Sequence, residues 1–245
     1  MTLNCGTLFG IGVGPGDPDL IPLKAVKALQ GVKIVFTAAS SRNDYSLAVG
    51  IAGPHLPQGA EIRQLPFPMT KNLLEKEAAW EDNAAVIAEA LESGNDAAFL
   101  TLGDPLTYST YGYVLRALKK RFAHLPVVTI PGITSYQASA AAINTPLVEG
   151  DESLLIMAGT RGTERIRSLN GNAENVVILK AYRNVEAICG ALDEADLLDG
   201  STGVVRCSMP DQELVSDIRE LVPRRPNYWT LIIAKRKTAH DPEAR

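Results

Sequence analysis

The chain has 245 residues, 46% hydrophobic and 21% charged, with a net charge of −4 and an isoelectric point near 5.5. That is the composition of a soluble globular protein with enough length to bury one large core or two modest ones. The acidic balance speaks against nucleic acid as a partner, and no apolar run approaches the roughly 20 residues of a membrane span.

The first half alternates strands and helices. A strand at about 7–12 leads to a helix at about 19–30, with Leu23, Val26 and Leu29 on one face. A second strand, Val32 to Thr37, precedes a polar loop, Ala39 to Tyr45, and a short helix from about Ser46. Ile62 and Leu65 mark a third strand. The longest helix is expected over 72–93, because Trp80, Ala84, Ile87 and Leu91 recur at i, i+4, i+7 and i+11. Gly94-Asn95 ends it, Ala97 to Thr101 forms a strand, and Ser109 or Thr110 caps the next helix.

After about residue 121 the pattern changes. Val127 to Ile130 reads as a strand and Thr134 to Ile143 as a helix of small residues. Strands are expected at 154–158, 176–179, 203–206 and 229–234, with helices at about 163–169, 184–195 and 211–222. The alternation gives an α/β fold with a mixed sheet, ending in a polar tail.

Cys5, Cys189 and Cys207 are widely spaced with no C-x-x-C pair, and His55, His124 and His240 are isolated. A cytoplasmic protein without a protein-built metal site is expected. The first residues lack a basic segment ahead of an apolar run, so no secretory signal is expected.

Three turns each follow a short apolar run: Gly12-Val13-Gly14-Pro15-Gly16-Asp17, Leu102-Gly103-Asp104-Pro105 and Pro131-Gly132-Ile133-Thr134. Turns so placed stand at the carboxyl ends of strands, where open α/β sheets bind ligands. Glycine admits close backbone approach and proline stiffens the turn. The first turn is not a dinucleotide loop, since Asp17 replaces the third glycine and Pro15 removes an amide. No Walker loop and no G-x-S-x-G nucleophile elbow occurs. The pattern points to an enzyme or binder of a small organic molecule.

These three loops, at this spacing, resemble the tetrapyrrole methylases, and the resemblance runs from Leu8 to about Lys237. Within the family, Ser46-Leu47-Ala48, Phe67-Pro68-Met69-Thr70, Trp80 and Gly103 to Tyr111 are similar to members that methylate the C-20 meso carbon of precorrin-2 or cobalt-precorrin-2. Uroporphyrinogen methyltransferases usually carry an acidic residue after the second strand, where this chain has Thr37-Ala38-Ala39.

The resemblance implies two α/β subdomains, at 1–121 and 122–238 ahead of a tail at 239–245, with S-adenosyl-L-methionine in the cleft between them. It also implies a homodimer. Carried over residue by residue, it puts Pro15, Leu102, Gly103, Asp104, Thr107, Thr134, Ser135, Met157 and Cys207 at the cofactor. Cys207 stands where glycine or alanine is commoner in the family. A substrate rich in carboxylates needs local cations, and Arg42, Lys71 and Arg183 are the candidates. Asp104, Tyr108 and Tyr111 are candidates for the chemistry, as proton acceptor or as rings against the macrocycle. Two other classes stay open: a methylase of the same fold acting on ribosomal RNA or a diphthine precursor, and a non-catalytic tetrapyrrole or cofactor binder.

Overall fold

A computed structural model describes residues 5–39, 44–160, 163–168, 173–224 and 226–236, with the backbone alone for 44–46. Arg42 and the tail at 239–245 lie outside the described residues. The chain divides into two compact units, Met1–Thr134 and Ser135–Arg245.

The first unit is a parallel sheet of β1 (Leu8–Gly12), β2 (Ile34–Ala39), β3 (Glu61–Pro66), β4 (Ala97–Thr101) and β5 (Val127–Ile130), in the order β3-β2-β4-β1-β5. Its central strands are nearly continuous apolar runs because helices cover both faces. Leu8, Phe36 and Phe99 pack with α3 (Leu73–Glu92) and α4 (Tyr111–Arg121) on one side. Ile11, Val35 and Leu100 pack with α1 (Leu23–Leu29) and α2 (Asp44–Ala52) on the other. The chain therefore leaves β1 and β4 towards opposite faces, which makes a topological switch point between these neighbours.

The long helix forms as the periodicity predicts. Asn72 caps it by accepting from the Leu74 N–H at 3.1 Å, and Ala84, Ile87 and Leu91 are buried. Trp80 instead stacks on Tyr113 of α4, with ring centroids 4.2 Å apart and planes 4° from parallel. The expected helix at 19–30 is shorter. Asp17 caps a 3₁₀ turn, Pro18–Leu20, and Pro22 restarts the chain as α1. Leu23 is 79% exposed and does not share the core face of Leu29. The expected boundary after residue 121 also moves, because β5 pairs along β1 and so belongs to the first sheet.

The second unit begins with α5 (Ser135–Ala142) and holds β6 (Leu154–Ala158), α6 (Thr163–Arg167), β7 (Asn175–Leu179), α7 (Val185–Glu194), β8 (Ser201–Val205), β9 (Glu213–Val215) and β10 (Thr230–Lys235). The sheet order is β6-β7-β10-β8-β9. β6 and β7 are parallel, while β10 runs antiparallel to both β7 and β8. Ile178, Val205 and Ile232 pack with Ile166 of α6 and with Ile188 and Leu192 of α7. The helix expected at 211–222 is replaced by β9, which pairs with β8, and a 3₁₀ turn, Ile218–Leu221. Pairing to a sheet edge overrides local propensity there.

Tyr111 belongs to this scaffold and not to a ligand site, which corrects the sequence expectation. It is fully buried, its hydroxyl shares a 2.8 Å hydrogen bond with Thr129 Oγ1, and burial pushes its pKa up. Its ring lies over Gly10, where an added Cβ would collide with it. Tyr111→Phe is expected to lose about 0.5–1.5 kcal/mol of stability, and Gly10→Ala about 1–3 kcal/mol through overpacking. Urea midpoints check both, and an unchanged midpoint for Gly10→Ala would contradict this packing.

Candidate functional site

The three glycine loops meet at the carboxyl edge of the first sheet, after β1, β4 and β5. Gly14 and Gly103 pair backbone to backbone, with Gly103 N–H donating to the Gly14 carbonyl at 2.7 Å and the reverse bond at 3.3 Å. A Cβ on Gly12 or on Gly132 would strike the Gly103 carbonyl oxygen. At these points main chain meets main chain, an approach only glycine permits. Gly103 itself has φ +69°, and an added Cβ would meet only the Ile133 carbonyl oxygen, at 3.9 Å. The space above it is open, as a ligand cradle requires.

Asp104 ties the second loop to the third. Its Oδ1 accepts from Leu106 N–H at 2.9 Å and from Thr107 Oγ1 at 3.1 Å, while Oδ2 accepts from Gly132 N–H at 3.2 Å. Thr101 and Ser109 close the base of the same loop with a 2.8 Å hydroxyl–hydroxyl bond. Pro15 and Thr134 are buried, and Leu102 and Thr107 are half-buried. Sequence reasoning thus named residues of the first unit that the fold does bring together: Pro15, Leu102, Gly103, Asp104, Thr107 and Thr134. Tyr108 extends from the second loop with φ 51° and is 54% exposed.

The same edge carries a feature that sequence reasoning missed. Beyond the ends of β2 and β3 lies a cavity of about 440 Å³, lined by Pro66, Phe67, Pro68, Ala78 and Ala79 with Glu75 and Asp82. The sequence does hold a signal for it, since Glu75, Ala78, Ala79 and Asp82 stand at i, i+3, i+4 and i+7 of α3. Asn83 is buried and donates to the Pro66 carbonyl at 2.9 Å, which fixes the loop that forms one wall. Phe67 is held edge-on against Phe99, 6.4 Å between centroids. Lys71 lies beyond this loop, exposed.

In the second unit, Ser135 opens α5, and Met157 on β6 and Cys207 after β8 are both buried. The Cys207 thiol lies 3.6 Å from the Ser208 hydroxyl. Arg183 is exposed and its guanidinium sits 5.0 Å above the Tyr182 ring. Among the described residues, no group of three or more His, Cys, Asp or Glu side chains converges to hold a metal ion. No helix among them is long and apolar enough to cross a membrane.

The family model for tetrapyrrole (corrin/porphyrin) methylases matches residues 7–222. Cobalamin biosynthesis protein CobIJ of Mycobacterium tuberculosis is 34% identical over 218 residues, 86% of this chain and 42% of that protein. The chain thus spans about two fifths of the length of this relative. Cobalt-precorrin-2 C(20)-methyltransferase of Salmonella typhimurium is 29% identical over 95% of this chain and 97% of its own. Precorrin-2 C(20)-methyltransferase of a Sinorhizobium species is 32% identical over 94% and 96%. Among solved structures, the cobalt-precorrin-4 methyltransferase CbiF superposes with a TM-score of 0.72 at 20% identity, covering 94% of each chain. With a match across most of its length, the chain belongs to the tetrapyrrole methylases.

Proposed function

We propose that this protein transfers a methyl group from S-adenosylmethionine to the C-20 meso carbon of precorrin-2 or cobalt-precorrin-2, a step of cobalamin biosynthesis. The observation that carries this reading is the similarity to relatives named as C(20)-methyltransferases over nearly their whole length. The stitched glycine loops agree with it, because an open backbone cradle at a switch point suits a nucleoside ligand. The homodimer and the cytoplasmic location rest on the family resemblance and on cysteine usage.

S-adenosylmethionine supplies a sulfonium methyl that is already activated. The meso carbon of a reduced tetrapyrrole is an electron-rich, enamine-like nucleophile, so the work left to the protein is alignment. Holding the two carbons at about 3–3.5 Å gives a high effective molarity without a covalent nucleophile. Pro15, Leu102, Gly103, Thr107, Thr134, Ser135, Met157 and Cys207 hold the cofactor in this reading. Asp104 fixes the cradle through Gly132, and Asp104 or Tyr108 takes the C-20 proton after transfer. Lys71 and Arg183 serve the carboxylates of the substrate.

Gly103→Ala puts a methyl group into the open space at a backbone angle that disfavours side chains by about 1–2 kcal/mol. The variant is expected to fold and to lose S-adenosylhomocysteine affinity tenfold or more in calorimetric titration. Near-normal affinity in a folded variant would remove Gly103 from the cradle. Asp104→Asn turns an acceptor facing the Gly132 N–H into a donor, a loss of about 1–3 kcal/mol. Cofactor affinity should fall accordingly, while turnover at saturation drops by less than the roughly 10⁴-fold upper range for a key general base. A loss of that size in a variant that still binds both ligands would make Asp104 the proton acceptor. For the reaction, labelled cofactor with each form of precorrin-2 should place one methyl group at C-20 by NMR. Methylation of uroporphyrinogen III at C-2 and C-7, with precorrin-2 untouched, would overturn the assignment.

A further inference from the structure

Three stretches that stand out in the sequence meet at one helix. Phe67-Pro68-Met69-Thr70 follows β3, Trp80 lies on α3, and Gly103 to Tyr111 follows β4 and runs into α4. The helix α3 holds the first stretch through Asn83, whose Nδ2 donates to the Pro66 carbonyl at 2.9 Å. It holds the last through the stack of Trp80 on Tyr113, in the first turn of α4. The Arg116 guanidinium lies 5.0 Å from the centroid of the same Tyr113 ring. Further along α4, Lys120 Nζ donates to Glu81 at 3.2 Å.

This stack is not core filling. Ala84, Ile87, Leu91, Val114 and Leu118 already supply the buried contact between the two helices and the sheet. Trp80 is half-buried and Tyr113 is 38% exposed. Two rings face to face at the surface bury less area than a core pair, but each fixes the orientation of the other.

The start of α4 depends on such anchors. Thr110, which precedes the helix, supplies no side-chain cap. Ser109 Oγ accepts from Tyr111 N–H at 3.2 Å instead, and two tyrosines do the rest. Tyr111 pins the helix inward, on Thr129 of β5 and over Gly10 of β1. Tyr113 pins it to α3. Ser109, bonded to Thr101 Oγ1, joins this helix start to the loop that carries Gly103, Asp104 and Thr107. A misplacement of about 1 Å far from the chemistry can slow a reaction by roughly 100-fold, so the anchoring of that loop matters to turnover.

We propose that Trp80 is a positioning residue for the cofactor cradle: acting through Tyr113, it sets the loop after β4 against the turn after β3. The inference rests on the methyltransferase reading for the placement of the cofactor on that loop.

The test uses the full-length protein, with S-adenosylhomocysteine titrated by calorimetry and amide hydrogen exchange followed on peptides covering 102–110. Trp80→Leu keeps apolar bulk and removes the stack. It should speed exchange across 102–110 and weaken S-adenosylhomocysteine binding about three- to tenfold, the equivalent of one aromatic pair. Tyr113→Leu should do the same. The double variant should lose no more than either single, because both remove one contact. Trp80→Phe keeps a ring and should recover most of the affinity. A stack that only stabilised the fold would lower the urea midpoint and leave affinity and loop exchange at wild-type values. That result in folded Trp80→Leu, or in Tyr113→Leu where Trp80→Leu fails to fold, would overturn the proposal, and so would additive losses in the double variant. If loop exchange rises while neither Trp80→Leu nor Gly103→Ala changes affinity, the stack positions the loop and the cradle reading falls.

Discussion

The first unit depends on three loops whose main chains meet at glycines. Gly12 and Gly132 both back onto the Gly103 carbonyl, and Gly14 pairs with Gly103. Any Cβ at positions 12 or 132 would force the loops apart. That approach brings the ends of β1, β4 and β5 into one surface and puts the Asp104 carboxylate within reach of the Gly132 amide. The same face of β1 carries Gly10 two residues earlier, where the missing side chain admits the Tyr111 ring. One bare face of one strand thus serves two ends: towards its start it takes a core aromatic, and towards its end it takes the loops.

The two units accommodate backbone strain in different ways. In the first, positive φ at the cradle falls on Gly14 and Gly103, where it is nearly free, and on Tyr108 beside them. In the second, it falls on Lys180, Arg206 and Ser208, residue types for which it is unfavourable, and on Asn184, which tolerates it better. A glycine at 180 or 206 would relieve the strain, but it would remove the cation that stacks on Tyr228 or Trp229. Side-chain chemistry and backbone comfort conflict at these positions, and the side chains present are the ones the conflict retains.

Much of this was legible in the sequence because the signals are local. The glycine and proline turns follow short apolar runs, and the stripe of Ala84, Ile87 and Leu91 fixes α3 without any tertiary knowledge. Other features arise from pairings between distant segments. Residues 211–222 look helical alone and become β9 because β8 offers an open edge. The first unit extends to Thr134 because β5 finds β1, more than a hundred residues earlier. Tyr111 reads as a site residue by its place beside the second loop, and only the packing on Gly10 withdraws it. Arg183 was legible as a cation beside Lys180 and Tyr182, but Arg206, Tyr228 and Trp229 lie on two other segments that only the topology of β7, β8 and β10 brings to the same edge.

A methyl transfer that rests on alignment places its demands on rigidity more than on reactive groups. The cradle is built accordingly: backbone bonds join the first loop to the second, a carboxylate clamps the third to the second, and a hydroxyl pair closes the base of the second. The cavity wall follows the same logic, since Asn83 fixes the Pro66 carbonyl and Phe99 fixes the Phe67 ring. Where each contact is ordered before the ligand arrives, binding free energy is left for bringing the reacting carbons together, and that is the term on which a positional mechanism depends.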